Sequence, residues 1–362
     1  MVSSVKATKA TLQTIADEVG VSRSTVSNAF GRPDQLSPDL REKILETARR
    51  LGYAGPNPTA RSLRRGRAGA VGVLFTGSLS QALSDPYAVQ FLSGLAAAAE
   101  ARQTGLLLIP VSLGDPEAAT QALNEAAVDG FCVYCASDWR GSLDIIRSRG
   151  LPMVTTEDPA EAGPDALVVA LDERAATRAV GDHVTGLGHR RLAVLSDLVA
   201  PDAHNGPVDV PDPDSLPYYI SRERIRGFRD ALVAAGGRWS DVLVLHAEEN
   251  LRVAGAAAAA FALDRADRPT AILATTDVLA LGALDALAAR GLQPGRDVSV
   301  TGFDDIPEAA AAGLTTVRQP STDKGRIAGE LLLDLPADPA LRRVVLPTSL
   351  VVRASTGPVP SS

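Results

Sequence analysis

Cysteine is nearly absent from this chain: Cys132 and Cys135 are the only two in 362 residues. A disulfide scaffold is excluded. A structural zinc site would need a second ligand pair, which the sequence does not contain. The two thiols stand three apart in the strand-like run GFCVYC, an offset that places them on opposite faces of a strand and reads as core packing. Aromatic residues are scarce at 4%, against 45% hydrophobic residues overall, so the cores must be mostly aliphatic. No run approaches the ~20 apolar residues of a membrane span, and MVSSVKATKA lacks the apolar centre of a signal peptide. The expectation is a cytoplasmic protein with no membrane partner.

Catalytic signatures are missing too. The sequence has no GxSxG elbow, no HExxH pair and no Walker GxxxxGK[ST] loop. The glycines around Gly66, Gly69 and Gly72 precede a strand instead of following one, so they fail the dinucleotide-binding context. His183, His189, His204 and His246 have no ligand-like spacing, and the adjacent pair Asp304 and Asp305 has no companion cluster. No catalytic residue, metal or cofactor is expected, and the chain reads as a non-enzyme.

What is present is an uneven charge. The whole chain carries −7, yet residues 1–67 hold 12 basic against 6 acidic side chains and the remainder holds 24 against 37. A small basic head on an acidic body suits a nucleic-acid reader attached to something that should not adhere to nucleic acid.

The head carries the most informative stretch, TLQTIADEVGVSRSTVSNAFG from Thr11 to Gly31. Leu12, Ile15, Ala16 and Val19 form one apolar helical stripe. Gly20 supplies a turn, and Ser22 is a natural cap for a second helix with Val26, Ala29 and Phe30 inward. Ser37, Pro38 and Asp39 open a third helix, with Leu40, Ile44, Ala48 and Leu51 as its stripe. Two helices joined by a tight turn, with a polar outer face on the second, predict a helix-turn-helix. Gly55-Pro56-Asn57-Pro58 then reads as a linker into TARSLRRGR. A helix there would be too short to persist alone in water.

From Ala70 onward, strands and helices alternate twice over, the rhythm of two doubly wound parallel-sheet subdomains with a cleft between them. In such sheets ligands sit at the carboxyl ends of the strands. One connection is unusually long: Leu198 to Ile220, rich in Pro, Asp and Gly. It reads equally as a lid or as a surface insertion. The tail GPVPSS is expected to lack order.

The run IADEVGVSRSTVS closely resembles the N-terminus of LacI/GalR transcription regulators. GHRRLAVL, RERIRGFRDAL, PTAILATTDVLALGAL, DVSVTGFDDIP, LTTVRQP and LVVRAST are similar to landmarks of that family's periplasmic-binding-protein-like core, so the likeness spans roughly residues 10–357. The resemblance implies an all-α helix-turn-helix head (10–55), a hinge helix or linker (56–67) and an effector-binding and dimerisation domain (68–357). It further implies a first subdomain of about 68–172 and 303–319, and a second of about 173–302 and 320–357. Partners would be a pseudo-palindromic operator, a second copy of the chain and a small effector, a sugar by default or a nucleobase or nucleoside. It leaves induction and corepression open.

By the same resemblance, Arg23, Ser24 and Asn28 would read bases, while Thr14, Thr25 and Ser27 suit phosphate. Arg61 and Leu63 fall in the hinge, where Leu63 would wedge into the minor groove; a solvated basic linker is the plainer alternative. For the effector, Tyr87, Asp172, Arg222, Arg224, Asn250, Asp277 and Asp304 surround the expected cleft, with Tyr218 a possible addition. Asp172 and Asp277 would serve equally as helix caps. The rivals are a solute-binding protein for uptake, which the basic head opposes, and an α/β enzyme with a fused DNA-binding head, which lacks a catalytic constellation.

Overall fold

The computed structural model describes residues 10–55, 66–76, 78–111, 115–134, 142–157, 166–199 and 204–360. The expected hinge residues Arg61 and Leu63 lie outside them, as does Cys135. Residues 1–68 and 69–362 form two compact units.

The first unit contains helices α1 (Leu12–Val19), α2 (Arg23–Gly31) and α3 (Pro38–Arg50). Thr11, Ser22 and Ser37 each cap the following helix through the side-chain oxygen, and Pro38 occupies the first turn of α3, where its missing N–H costs nothing. Gly20 ends α1 at φ 78°, a conformation that a Cβ would strain. Ile15, Ala16, Val26, Ala29, Ile44 and Ala48 are buried together, and Phe30 meets Tyr53 edge-on at 5.8 Å. So small a core gives limited stability by itself.

The second unit opens with β1 (Ala70–Thr76), α4 (Leu79–Ser84), α5 (Pro86–Ala101), β2 (Gly105–Val111), α6 (Pro116–Glu125), β3 (Gly130–Tyr134), α7 (Ser142–Ser148), β4 (Met153–Thr155) and β5 (Leu167–Leu171). It continues through α8 (Glu173–Gly186), β6 (Leu192–Ser196), β7 (Gly206–Pro207), α9 (Tyr219–Ala234), β8 (Leu243–His246), α10 (Arg252–Leu263), β9 (Ala271–Ala274), α11 (Asp277–Ala288) and β10 (Ser299–Thr301). The last elements are α12 (Pro307–Ala311), β11 (Thr316–Arg318), α13 (Ser321–Leu333), β12 (Arg343–Leu346) and β13 (Ser349–Val351). Six parallel strands in the order β12-β5-β4-β3-β1-β2 make one sheet. The order β10-β9-β6-β8-β7 makes the other, with only β7 antiparallel. Strands β3, β5, β6 and β9 are buried along their whole length, as sheets covered by helices on both faces require.

The chain passes between the two sheets three times, but its last third is distributed differently from the sequence-based expectation. Residues 303–319 stay with the second sheet: Thr301 bridges Thr315, and Asp304 bridges Arg318. Residues 321–346 belong to the first, because α13 packs along α5 and β12 pairs with β5. After β12 the chain returns to the second: β13 pairs antiparallel with β11, and Val300 N–H donates to Ser355 O. The turn at Gln319-Pro320 is therefore a crossing, but in the opposite direction. Glycines at 94 and 325, where α5 and α13 touch backbone to backbone, and at 329, where a Cβ would meet Ala98, are the signal that would have placed α13.

Residues 357–360 are also ordered, contrary to expectation. The buried ring of His189 is 2.9 Å from Gly357 O, and Val359 N–H donates to Leu187 O at 3.0 Å. Cys132 packs fully buried in β3, and burial pushes its thiol up to about 12, far from the thiolate that reactivity or metal binding requires.

Candidate functional site

Between the carboxyl ends of the two sheets lies a cavity of about 880 Å³, the place where open parallel sheets bind ligands. Its first wall is aromatic. Phe75 ends β1, Tyr134 ends β3 and Tyr87 opens α5; the Phe75 and Tyr134 rings are 5.0 Å apart, and Tyr87 and Tyr134 6.0 Å. In a chain with 14 aromatic residues, four of the described ones line this one space, Tyr218 being the fourth. The opposite wall is polar: Arg224, Asp304, Asp197, Asn250, Thr275 and Thr276. A flat apolar face opposed by directional hydrogen-bonding groups suits a small ring bearing polar substituents.

Arg224 is the centre of that wall. It leaves α9 6% exposed, donates from Nε to Glu173 at 2.8 Å and from Nη1 to Thr275 O at 2.5 Å, and stacks over Phe303 at 3.7 Å. Burial alone would lower its basicity, but the carboxylates of Glu173 and Asp304 outweigh that and hold it charged. Asp304 follows β10 with φ 126°, a backbone cost sustained where a side chain must be aimed. Its Oδ1 accepts from Gln319 Nε2 at 2.5 Å. Burial drives its pKa well above the carboxylate range; Arg224 opposes this, and Asp277 and Asp85 add to it. Asn250 spans the mouth: it donates to Asp85 Oδ2 at 3.3 Å and accepts from Thr276 Oγ1 at 2.7 Å.

The long connection after β6 is anchored in its described part. Gly206 and Pro207 form β7 on the edge of β8, Val210 and Leu216 are buried, and Trp239 Nε1 donates to Val210 O at 2.8 Å. Asp212 and Asp214 pair with Arg226 and Arg229 on the outer side of α9. Among its described residues, those at its two ends, Asp197-Leu198 and Tyr218, Ile220, reach the cavity.

In the head, α2 presents Arg23 and Ser24 exposed to solvent, with Thr25, Ser27 and Asn28 half-exposed. Ser22 Oγ lies 2.7 Å from both Ser24 Oγ and Thr25 Oγ1, and Asn28 Nδ2 donates to Gln35 at 3.1 Å. Thr14, exposed on α1, completes a capping box with Thr11. The six residues named from sequence are thus brought to one short motif.

Residues 11–57 match the model of bacterial regulatory proteins of the lacI family, and residues 181–356 match that of the periplasmic binding protein-like domain. An HTH-type transcriptional regulator of Mycobacterium tuberculosis is 44% identical over 354 residues, covering 97% of this chain and 98% of its own length. The chain belongs to the LacI family of transcriptional regulators. Among solved structures, a LacI-family protein from Corynebacterium glutamicum aligns with a TM-score of 0.73 at 36% identity, covering 95% of this chain and 98% of its own. The transcriptional regulator CelR–cellobiose complex aligns at 0.66 and 26%, covering 96% and 99%.

Four of the seven effector residues expected from sequence line the cavity of this LacI-family regulator: Tyr87, Arg224, Asn250 and Asp304. Three do not. Asp172 is exposed and caps α8, accepting from Ala175 N–H at 2.8 Å. Asp277 is wholly buried beneath the cavity. It accepts from Thr316 Oγ1 at 2.6 Å and Ile306 N–H at 2.9 Å, which clamps the Asp304 loop. Arg222 donates to Leu216 O at 3.1 Å; two residues along a helix rotate a side chain by about 200°, so Arg222 and Arg224 cannot share a target. Asp85, Glu157 and Asp197 line the cavity unforeseen. Asp197 directly follows β6, and the strand-end rule applied to every strand would have found it.

Burial pushes Asp197 up to about 6, with Arg224 pulling the other way. An unfolded aspartate titrates near 3.9. A folded pKa above the unfolded one contributes stability below about pH 4 that is lost as pH rises through about 6. Asp197→Asn removes this loss. Its melting temperature relative to the parent is expected to rise between pH 4.5 and 7.5; a constant difference across that range would contradict the burial of this carboxylate.

Proposed function

We propose that this LacI-family regulator is a repressor that binds a pseudo-palindromic operator as a homodimer and is switched by a carbohydrate-like effector in the cavity. The observation that carries this reading is the buried Arg224, fixed by Glu173 and facing Asp304 and an aromatic wall between two subdomains joined by three strands of chain. Closing or opening the subdomains changes the geometry of the segment leading to the head, and a coupling of about 1–3 kcal/mol suffices to switch occupancy. The similarity to the CelR–cellobiose complex supports a carbohydrate as the ligand.

In this reading residues 10–55 are the DNA-binding domain. Arg23 and Asn28 read guanine and adenine edges with Ser24, and Thr14, Thr25 and Ser27 contact phosphate. Residues 56–67, of which 56–65 lie outside the described part, act as the hinge that folds on DNA, with Arg61 on the backbone and Leu63 as the wedge. Selection of random duplexes by the full-length protein is the direct test. An inverted repeat of about one to two helical turns supports paired recognition helices, and failure to enrich any sequence, with and without metabolite pools, removes the reading. Leu63→Ala is expected to weaken the selected site by at least about tenfold, since wedging is what supports the bend, while leaving the oligomeric state unchanged. Unaltered affinity would eliminate the wedge.

A further inference from the structure

We propose that Asp85 and Asp197 make the cavity selective by charge: its ligand is an uncharged polyhydroxylated molecule, and phosphate esters or acid derivatives of that molecule are rejected. This rests on the reading of the cavity as the effector site and adds to it a ligand class and two specificity-determining residues.

The charge balance of the walls is one-sided. Arg224 is the one basic side chain among the described lining residues, and its charge is already engaged by Glu173 at 2.8 Å in a pair whose side chains are 7% and 2% exposed. Against it stand Asp85, Glu157 and Asp197 on the walls, with Glu248 and Glu249 exposed at the rim, whereas burial favours the neutral form of Asp304. Lys324, 2% exposed, sits behind the aromatic wall with Nζ 3.4 Å from Tyr87 Oη and does not line the space. An anionic ligand would bring a further negative charge among carboxylates with no uncommitted cation to meet it.

Helix N-termini, the other common anion receptors, are occupied at two edges of the cavity, while those of α9 and α10, whose cap positions Tyr218 and Leu251 are on its lining, carry no side-chain cap. Asp85 itself caps α5, taking Tyr87 N–H at 3.0 Å, and Thr276 caps α11, taking Leu279 N–H at 3.2 Å. The Asp85 carboxylate therefore stands at a helix end where a phosphate would otherwise be drawn. Carboxylates accept from hydroxyl groups, often two at a time, so a ring or chain of hydroxyls satisfies the same walls that repel an anion. The aromatic face of Phe75, Tyr134 and Tyr87 receives its C–H side.

The test is calorimetric titration of the full-length protein with matched sets: pentoses, hexoses, disaccharides and linear and cyclic polyols, each beside its phosphate ester and its acid derivative. At least one uncharged member is expected to bind, its charged partners at least about 100-fold more weakly, as like-charge juxtaposition in a partly enclosed site demands. In the double variant Asp85→Asn/Asp197→Asn that gap should shrink at least about tenfold, with the ester gaining affinity outright. An unchanged operator affinity shows that the variant is folded. An ester or acid that binds the parent as tightly as its uncharged form, or a gap unmoved by the double variant, overturns the charge rule. Binding that survives Arg224→Ala overturns the cavity assignment instead, and binding by no member of any set overturns both.

Discussion

Arg224→Ala is expected to abolish effector binding and to cost the sensor unit about 3–5 kcal/mol of stability, the range for breaking a buried ion pair from one side. The reason lies in Glu173. Its carboxylate is 3% exposed and has the guanidinium at 2.8 Å; without Arg224 a buried negative charge is left unpaired. Thr275 O loses its donor and Phe303 loses the cation over its ring. The two consequences separate in a second variant. Glu173→Gln/Arg224→Met replaces the pair by groups of similar volume, which is often near neutral for stability, yet still removes the guanidinium from the cavity. Denaturant titration and calorimetry on both variants decide the matter. A double variant that regains the parent's stability but not its ligand supports a binding role, whereas recovery of both would reduce Arg224 to a structural residue. Operator binding by the double variant, no longer answerable to the effector, is the accompanying expectation.

Gly325→Ala should destabilise the same unit by about 3 kcal/mol, at the upper end of what overpacking costs. A Cβ at 325 would overlap the carbonyl oxygen of Phe91, and a Cβ at 94 would overlap that of Thr322. Both obstacles are backbone, which cannot swing aside as a side chain can. Separating α5 from α13 also shifts Tyr87 and Lys324, which bridge the two helices at 3.4 Å, so a loss of ligand affinity should accompany the loss of stability. Gly186→Ala is the contrast: it ends α8 with nothing near the new methyl, and helix propensity predicts a gain of about 0.5–1 kcal/mol. Equal midpoints for Gly325→Ala and the parent would show that the helices yield more readily than their contacts imply.

The two halves of the molecule were unequally legible. The head could be read almost residue by residue, because caps, turn and apolar stripe all lie within one helical turn of the residues they govern: Ser22 caps α2, Gly20 turns, and Ile15, Val26 and Ile44 meet. In the sensor unit the βα alternation and the location of the cleft followed from the same local patterns. The expected residues that line the cavity, Arg224 and Asp304 above all, are those whose surrounding strings resemble the family's landmarks. Two of the three expected residues that lie outside the cavity share a position. Asp172 and Asp277 stand at helix starts, where a carboxylate has two uses, and nothing within a few residues says whether the helix or the ligand receives it. Asp85, at another helix start, does both: it caps α5 and faces the cavity.

Sequence alone therefore determined the family, the helix-turn-helix, the parallel-sheet class and the strand ends at which a ligand would be held, since each rests on short-range periodicity and turn chemistry. Tertiary structure decided the rest. It placed α13 on α5 through the close approach of Gly94 to Thr322 and of Gly325 to Phe91, assigned residues 303–319 to the second sheet, and set Glu173 against Arg224 across 51 residues. It also gathered Asp85, Asp197 and Asp304 from three separate segments around one cavity. Cα atoms distant in sequence meet only when both sheets have closed around their cores, so charge balance at the cavity is a property of the packed fold and not of any stretch of chain.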